Sequence, residues 1–287
     1  MNTGVFIDAS GVSKSFAVRG GAREVLRHVS LSVRRGEFVS ILGAMGSGKS
    51  TLLGMLAGLW PPDSGTISVG GEPLRGVRSD AAFVFQNYSL LPWFSALENV
   101  RLAVQAADPS RSRGEQRDIA LGALEQVGLG NAVNRRPGQL SGGMRQRVAI
   151  ARAFATDPEV LFLDEPFGAL DALTRETLQQ ELARLCARKE RPVTTVMITN
   201  SMEEAILLSD RIVPMTPGPP STLGAPITVD LPRPRSVPQL AHDEGATDVR
   251  AHVVATLTAS LGRHRRRAAM SPPAAHELQP VHAEEGT

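Results

Sequence analysis

Gly43-Ala44-Met45-Gly46-Ser47-Gly48-Lys49-Ser50-Thr51 is the stretch from which the rest of the chain is read. It fits G-x-x-x-x-G-K-S/T, in which glycines let successive backbone N–H groups converge on one anion. A helix starting directly after the loop adds a favourable dipole. Both flanks suit that role. Glu37-Phe38-Val39-Ser40-Ile41-Leu42 is an apolar, β-prone run ending at the first glycine, and residues 50–59 read as a helix. The spacing predicts that Gly43, Gly46, Ser47, Gly48 and Thr51 form a phosphate cradle. Lys49 would reach the β- and γ-phosphates and the Ser50 hydroxyl would sit on Mg²⁺, so the expected ligand is a nucleoside triphosphate.

Composition narrows the surroundings of that loop. With 287 residues, 42% of them hydrophobic, the chain can build one large core or two modest ones. Net charge is +2 with both signs interspersed, which gives no bias toward nucleic acid or a membrane surface. The single Cys186 cannot make an internal disulfide, as expected of a reducing compartment. The first nine residues include Asp8 and do not read as a signal segment. No apolar run approaches the roughly 18–20 residues that span a bilayer.

Around the loop the chain alternates strands and helices. Residues 4–33 read as short strands split at Gly20-Gly21, and Val29-Ser30-Leu31-Ser32-Val33 alternates with period two. Thr66-Ile67-Ser68-Val69 and Ala82-Phe83-Val84-Phe85 are further strands, the latter ending at Gln86. Residues 97–136 change character and read as a helical insertion broken at Asp108-Pro109 and Gly128. Ser141 suits a helix N-cap, with Val148, Ile150, Ala151 and Phe154 as the apolar face of a helix reaching about residue 155. Val160-Leu161-Phe162-Leu163 and Thr194-Thr195-Val196-Met197-Ile198 are continuous apolar runs, as expected of parallel strands covered on both faces. A helix over residues 174–189 lies between them, and a short helix and a strand near Ile212-Val213 follow. The alternation implies a parallel α/β sheet.

Leu161-Phe162-Leu163-Asp164-Glu165 carries the second half of the chemistry. Parallel strands end at one sheet edge, so both carboxylates emerge beside the phosphate loop. Asp164 would hold Mg²⁺, through water, and Glu165 would contact the attacking water as general base or orienting group.

Leu140-Ser141-Gly142-Gly143-Met144-Arg145-Gln146-Arg147 resembles the signature motif of ABC-type ATPases, and the resemblance covers about residues 5–215. It implies an α/β phosphate-loop NTPase: a RecA-like parallel-sheet core with an antiparallel β subdomain and a helical subdomain. ATP and Mg²⁺ are the implied cofactors. Phe16 matches the aromatic that stacks on adenine, and Gln86 the glutamine that senses Mg²⁺ and water. Ser141, Gly142 and Gly143 make a second anion-binding helix start, which in the family faces ATP held by another nucleotide-binding subunit. Ala169-Leu170-Asp171 matches the loop touching that subunit. Softer likeness extends to importers of nitrate, sulfonates, taurine or bicarbonate. It rests on residues 86–93, Ser209-Asp210-Arg211-Ile212-Val213, Thr216-Pro217-Gly218-Pro219 and Leu231-Pro232-Arg233-Pro234-Arg235. That branch implies membrane permease subunits docking at residues 87–97, a solute-binding protein acting indirectly, no nucleic-acid partner, and a peripheral place on the cytoplasmic face of the membrane.

Two departures stand out. Ala44-Met45 replace the Pro-Ser of this branch at positions that contribute mainly backbone. Asn200 stands where the family has its switch histidine; its amide can donate to a γ-phosphate oxygen but cannot become cationic. A soluble ABC ATPase outside transport and a weakly hydrolysing regulatory subunit are the alternatives. The expected boundaries are an ATPase domain over 1–217, with the helical subdomain inserted at about 88–158. A Pro-rich extension with a short helix occupies 218–262, and a disordered tail 263–287. Eight prolines between residues 214 and 238 exclude a long helix there, whereas Val249, Val253, Leu257 and Leu261 predict one near 247–262.

Overall fold

The computed structural model describes residues 4–187 and 191–270. β1 (Val5–Val18) and β2 (Gly21–Arg34) form one long antiparallel hairpin in place of several short strands. Register shifts, as between Ala9 and Val12, interrupt its alternation, which is why period two is visible only near its end. β4 (Ser64–Val69) and β5 (Glu72–Pro73) complete a four-stranded antiparallel sheet in the order β2-β1-β4-β5.

The second sheet contains β3 (Phe38–Leu42), β6 (Ala81–Val84), β7 (Val160–Asp164), β8 (Thr194–Thr199), β9 (Arg211–Pro214) and β10 (Ile227–Thr228). Its order is β10-β9-β3-β8-β7-β6, and every pairing is parallel except β10 with β9. The sheet is therefore not wholly parallel. The Pro-rich stretch supplies a two-residue edge strand that, being antiparallel to its neighbour, needs no crossover helix.

α1 (Lys49–Leu56) is sandwiched between the sheets and is apolar nearly all round. Leu52, Leu53, Met55 and Leu56 pack against Ile7 and Val29 of the hairpin and against Ile41, Phe162 and Val196 of the second sheet. Each such buried side chain contributes about 1.5–3 kcal/mol, so the helix that opens at the phosphate loop is firmly seated.

The opposite face of the second sheet carries the other core. α2 (Ala96–Ala107) and α3 (Arg113–Gln126) each begin with a capping box, Ser95 with Glu98 and Ser112 with Glu115. α4 (Gly142–Phe154) buries Val148, Ile150, Ala151 and Phe154, and α5 (Ala172–Cys186) buries Leu178, Leu182 and Leu185. Residues 188 and 189 of the helix expected there lie outside the described residues.

α6 (Met202–Leu208), α7 (Val237–His242) and α8 (Glu244–Met270) are the last helices among the described residues. α8 is longer than the helix expected at 247–262. It starts at Glu244, where the Asp243 side chain accepts the Ala246 N–H, and its backbone continues through the basic run, so 263–270 is helical. The rest of the expected tail, 271–287, lies outside the described residues. Among the described residues no helix is long and apolar enough to cross a membrane.

Candidate active site

The parallel register brings the motifs together. Leu42 of β3 pairs with Thr199 of β8, and Asp164 of β7 pairs with Ile198 of β8, so three strand ends lie level at one edge. The loop leaving β3 is fixed against β2 at Gly48. Its φ of +90 suits glycine, and an added Cβ would stand 2.9 Å from Val25 and 3.0 Å from Leu26.

Lys49 is only 4% exposed. Its Nζ donates to the Gly43 and Ala44 carbonyls, each at 3.0 Å, and lies 3.3 Å from Glu165 Oε1. Ser50 Oγ donates to Asp164 Oδ1 at 3.2 Å. Burial pushes the Asp164 carboxyl above its ordinary range and the neighbouring Glu165 charge adds to this, while the Ser50 hydrogen bond and Lys49 oppose it. Glu165 holds a left-handed backbone, φ +43, which costs of order 1–3 kcal/mol in a residue with a side chain. Its N–H donates to the Ile198 carbonyl at 3.0 Å and its carbonyl accepts from Gly168 N–H at 3.3 Å, which locks the turn.

Gly46, Gly48, Lys49, Ser50, Thr51, Gln86 and Glu165 line one cleft of about 470 Å³, joined by Arg23, Val25, Met45 and Pro219. The other expected residues lie outside that lining. Phe16, 38% exposed, stands on β1 opposite Arg23, with Lys14 Nζ 5.9 Å from its ring. Asn200 is exposed, directly after β8. Ser141 caps α4 by accepting Met144 N–H, and Gly142 and Gly143 sit against residues 169–174, where a Cβ on Gly143 would meet Thr174 Cγ2 at 2.4 Å.

Two contributors escaped the sequence reading. Arg23 lines the cleft from a hairpin whose bulged register gave no cue. Glu204 is buried and accepts Thr199 Oγ1 at 2.6 Å, while the same hydroxyl accepts the Ser201 N–H at 3.0 Å. Burial pushes the Glu204 carboxyl up, against the Thr199 hydrogen bond and the Arg175 charge. The spacing Ser201-x-x-Glu204 marks a helix start and could have drawn attention to it.

The residues present fit a polyphosphate with a hard cation. The Ser47 hydroxyl is buried without a partner in the loop itself, and Ser50 with Asp164 offers two oxygen donors beside Lys49. A glycine-shaped loop, a buried lysine and paired strand-end carboxylates define a phosphate-loop nucleotide-binding protein. The chain belongs to the ABC transporter family, which matches residues 26–168.

The nitrate import ATP-binding protein NrtD of Synechococcus elongatus is 48% identical over 243 residues, 85% of this chain and 88% of that protein. The bicarbonate transport ATP-binding protein CmpC of Synechocystis sp. is 43% identical over 284 residues, 98% of this chain but 42% of that protein. The chain thus spans less than half the length of that relative. A solved dimer of the ATP-binding cassette MJ0796, in a post-hydrolysis state with ADP and Pi, superposes with a TM-score of 0.71 at 33% identity. That match covers 78% of this chain and 99% of that one.

Proposed function

We propose that this chain is the ATP-hydrolysing subunit of an importer for a small oxyanion-type solute of the nitrate or bicarbonate class. The observation that carries the catalytic part is the pairing of Lys49 with Glu165 and of Ser50 with Asp164, where Lys49, Ser50 and Glu165 line one cleft. The solute class rests on the transport roles named for the relatives.

In this reading the loop N–H groups and Lys49 bind the β- and γ-phosphates, and Phe16 stacks on adenine from the neighbouring strand. Ser50 and Asp164, with Gln86, would hold Mg²⁺, which neutralises charge on the phosphates. Glu165 accepts the proton of the water that attacks the γ-phosphorus, and the bond to the β,γ-bridging oxygen breaks. Asn200 donates its amide N–H to a γ-phosphate oxygen.

A second copy or close paralogue completes the site with Ser141, Gly142 and Gly143. Met45 and Leu173, 82% and 81% exposed, are apolar side chains that such a face would cover. Residues 87–97, including Trp93 at 62% exposure, receive the permease subunits at the cytoplasmic face of the membrane, and a solute-binding protein acts through them. The test is isolation of the tagged full chain from its native membranes, followed by ATP hydrolysis with nitrate or bicarbonate and the binding protein. Stimulated hydrolysis in a complex with membrane subunits is expected. Recovery without any membrane protein would overturn the importer reading.

A further inference from the structure

Leu231-Pro232-Arg233-Pro234-Arg235 turns back onto the end of α6. Arg235 Nη1 donates to the Ile206 and Ser209 carbonyls at 2.8 and 2.7 Å. Its Nη2 donates to Val229 and Leu231 carbonyls, both at 3.0 Å. Arg233 Nη2 donates to the Leu208 carbonyl at 2.7 Å and to Asp210 Oδ1 at 2.8 Å. A helix leaves its last carbonyls without internal partners, and here two guanidinium groups satisfy three carbonyls at the end of α6. The other end is tied as well. Arg250 of α8 bridges Glu203 at 2.9 and 3.2 Å and the Leu240 carbonyl at 3.1 Å, while Ala246 and Val253 are buried in the core cluster that contains Ala205 and Ile206.

α6 has only seven residues. A helix that short has no stability of its own, so tertiary contacts decide where it sits. Asn200 and the N-cap Ser201 immediately precede it, and Thr199 is pinned to Glu204 inside it. Any shift of α6 therefore moves Asn200. We infer that the C-terminal extension is a brace for hydrolysis: Arg235, supported by Arg233 and Arg250, is a positioning residue that sets Asn200 through α6. This inference rests on the assignment of Asn200 to the γ-phosphate under the proposed function.

The experiment is a double-variant cycle in the full-length chain, comparing the parent, Arg235→Lys, Asn200→Ala and both together. Lysine keeps the charge but cannot serve four carbonyls with one ammonium. Arg235→Lys should lower kcat about three- to tenfold with KM for ATP within about twofold, and should cost nothing further once Asn200 is Ala. Amide exchange in residues 202–208 should quicken while that of α1 stays at the parental rate. If Arg235→Lys does not fold, Arg250→Gln, which gives up the Glu203 ion pair and the Leu240 carbonyl but keeps every Arg235 contact, takes its place with the same expectation. Effects that multiply in the double variant, or a parental kcat in the single one, overturn the brace while leaving the site reading intact. A parental rate for Asn200→Ala removes the site assignment, and the brace falls with it.

Discussion

Lys49→Ala isolates the contribution of the buried lysine in the cleft. In the parent, Lys49 Nζ lies 3.3 Å from Glu165 Oε1, an attraction of about 5 kcal/mol at an effective dielectric constant near 20. Truncation relieves the ammonium's desolvation but leaves the Glu165 carboxylate uncompensated, a net cost to the fold of up to about 3–5 kcal/mol. Nucleotide binding has no such offset. The variant loses at least one charge-assisted hydrogen bond to a phosphate oxygen, worth about 1.5–3 kcal/mol, or roughly ten- to a hundredfold in Kd. It also leaves the Glu165 carboxylate uncompensated beside a polyanion, which pushes the loss toward the upper end. Titration calorimetry with ATP reads the affinity and a thermal melt checks the fold. A Kd within twofold of the parent, in a folded variant, would refute the placement of the triphosphate in this loop.

Three further perturbations follow from the geometry. Gly143→Ala should destabilise the chain by about 1–3 kcal/mol by overpacking against Thr174 Cγ2, and Thr174→Ser, which removes that methyl, should restore the melting temperature. The folded-state pKa of Glu204 is raised by burial, so the folded chain holds this proton more tightly and stability falls as pH rises from the unfolded value toward the folded one. Glu204→Gln keeps an acceptor for Thr199 and should therefore stabilise the chain at pH 7 but not below pH 4, as read by denaturant melts at both. Asn200→His should keep or raise ATP turnover and introduce an inflection near pH 6–7 that the parent lacks, seen in a rate–pH profile.

What the sequence makes legible is local. The phosphate loop, its strand and helix, the carboxylates ending β7 and the Ser141 cap are each written in a few consecutive residues, and the structure keeps them in register. What escaped depends on contacts far apart in the chain. Arg235 reaches carbonyls 26 and 29 residues earlier, which no local pattern announces. Prolines correctly exclude a long helix over 214–238 but conceal the edge strand β10 inside that stretch. The apolar repeat of α8 stops at Leu261, while its backbone propagates through the arginines that follow, residues with good helix propensity. The bulges of the β1–β2 hairpin hide both its length and the position of Arg23 at the cleft.

The most direct measurement concerns Glu165→Gln, which keeps the shape of the side chain and removes the carboxylate proposed as the base. In the presence of ATP and Mg²⁺, sedimentation and a phosphate-release assay are run on the same preparation. The expected result is a stable dimer retaining ATP, with hydrolysis reduced at least about a hundredfold. A chain that binds ATP yet hydrolyses it at the parental rate would show that Glu165 is not the base. One that retains ATP as a monomer would contradict the two-chain site built from the phosphate loop of one copy and Ser141, Gly142 and Gly143 of the other.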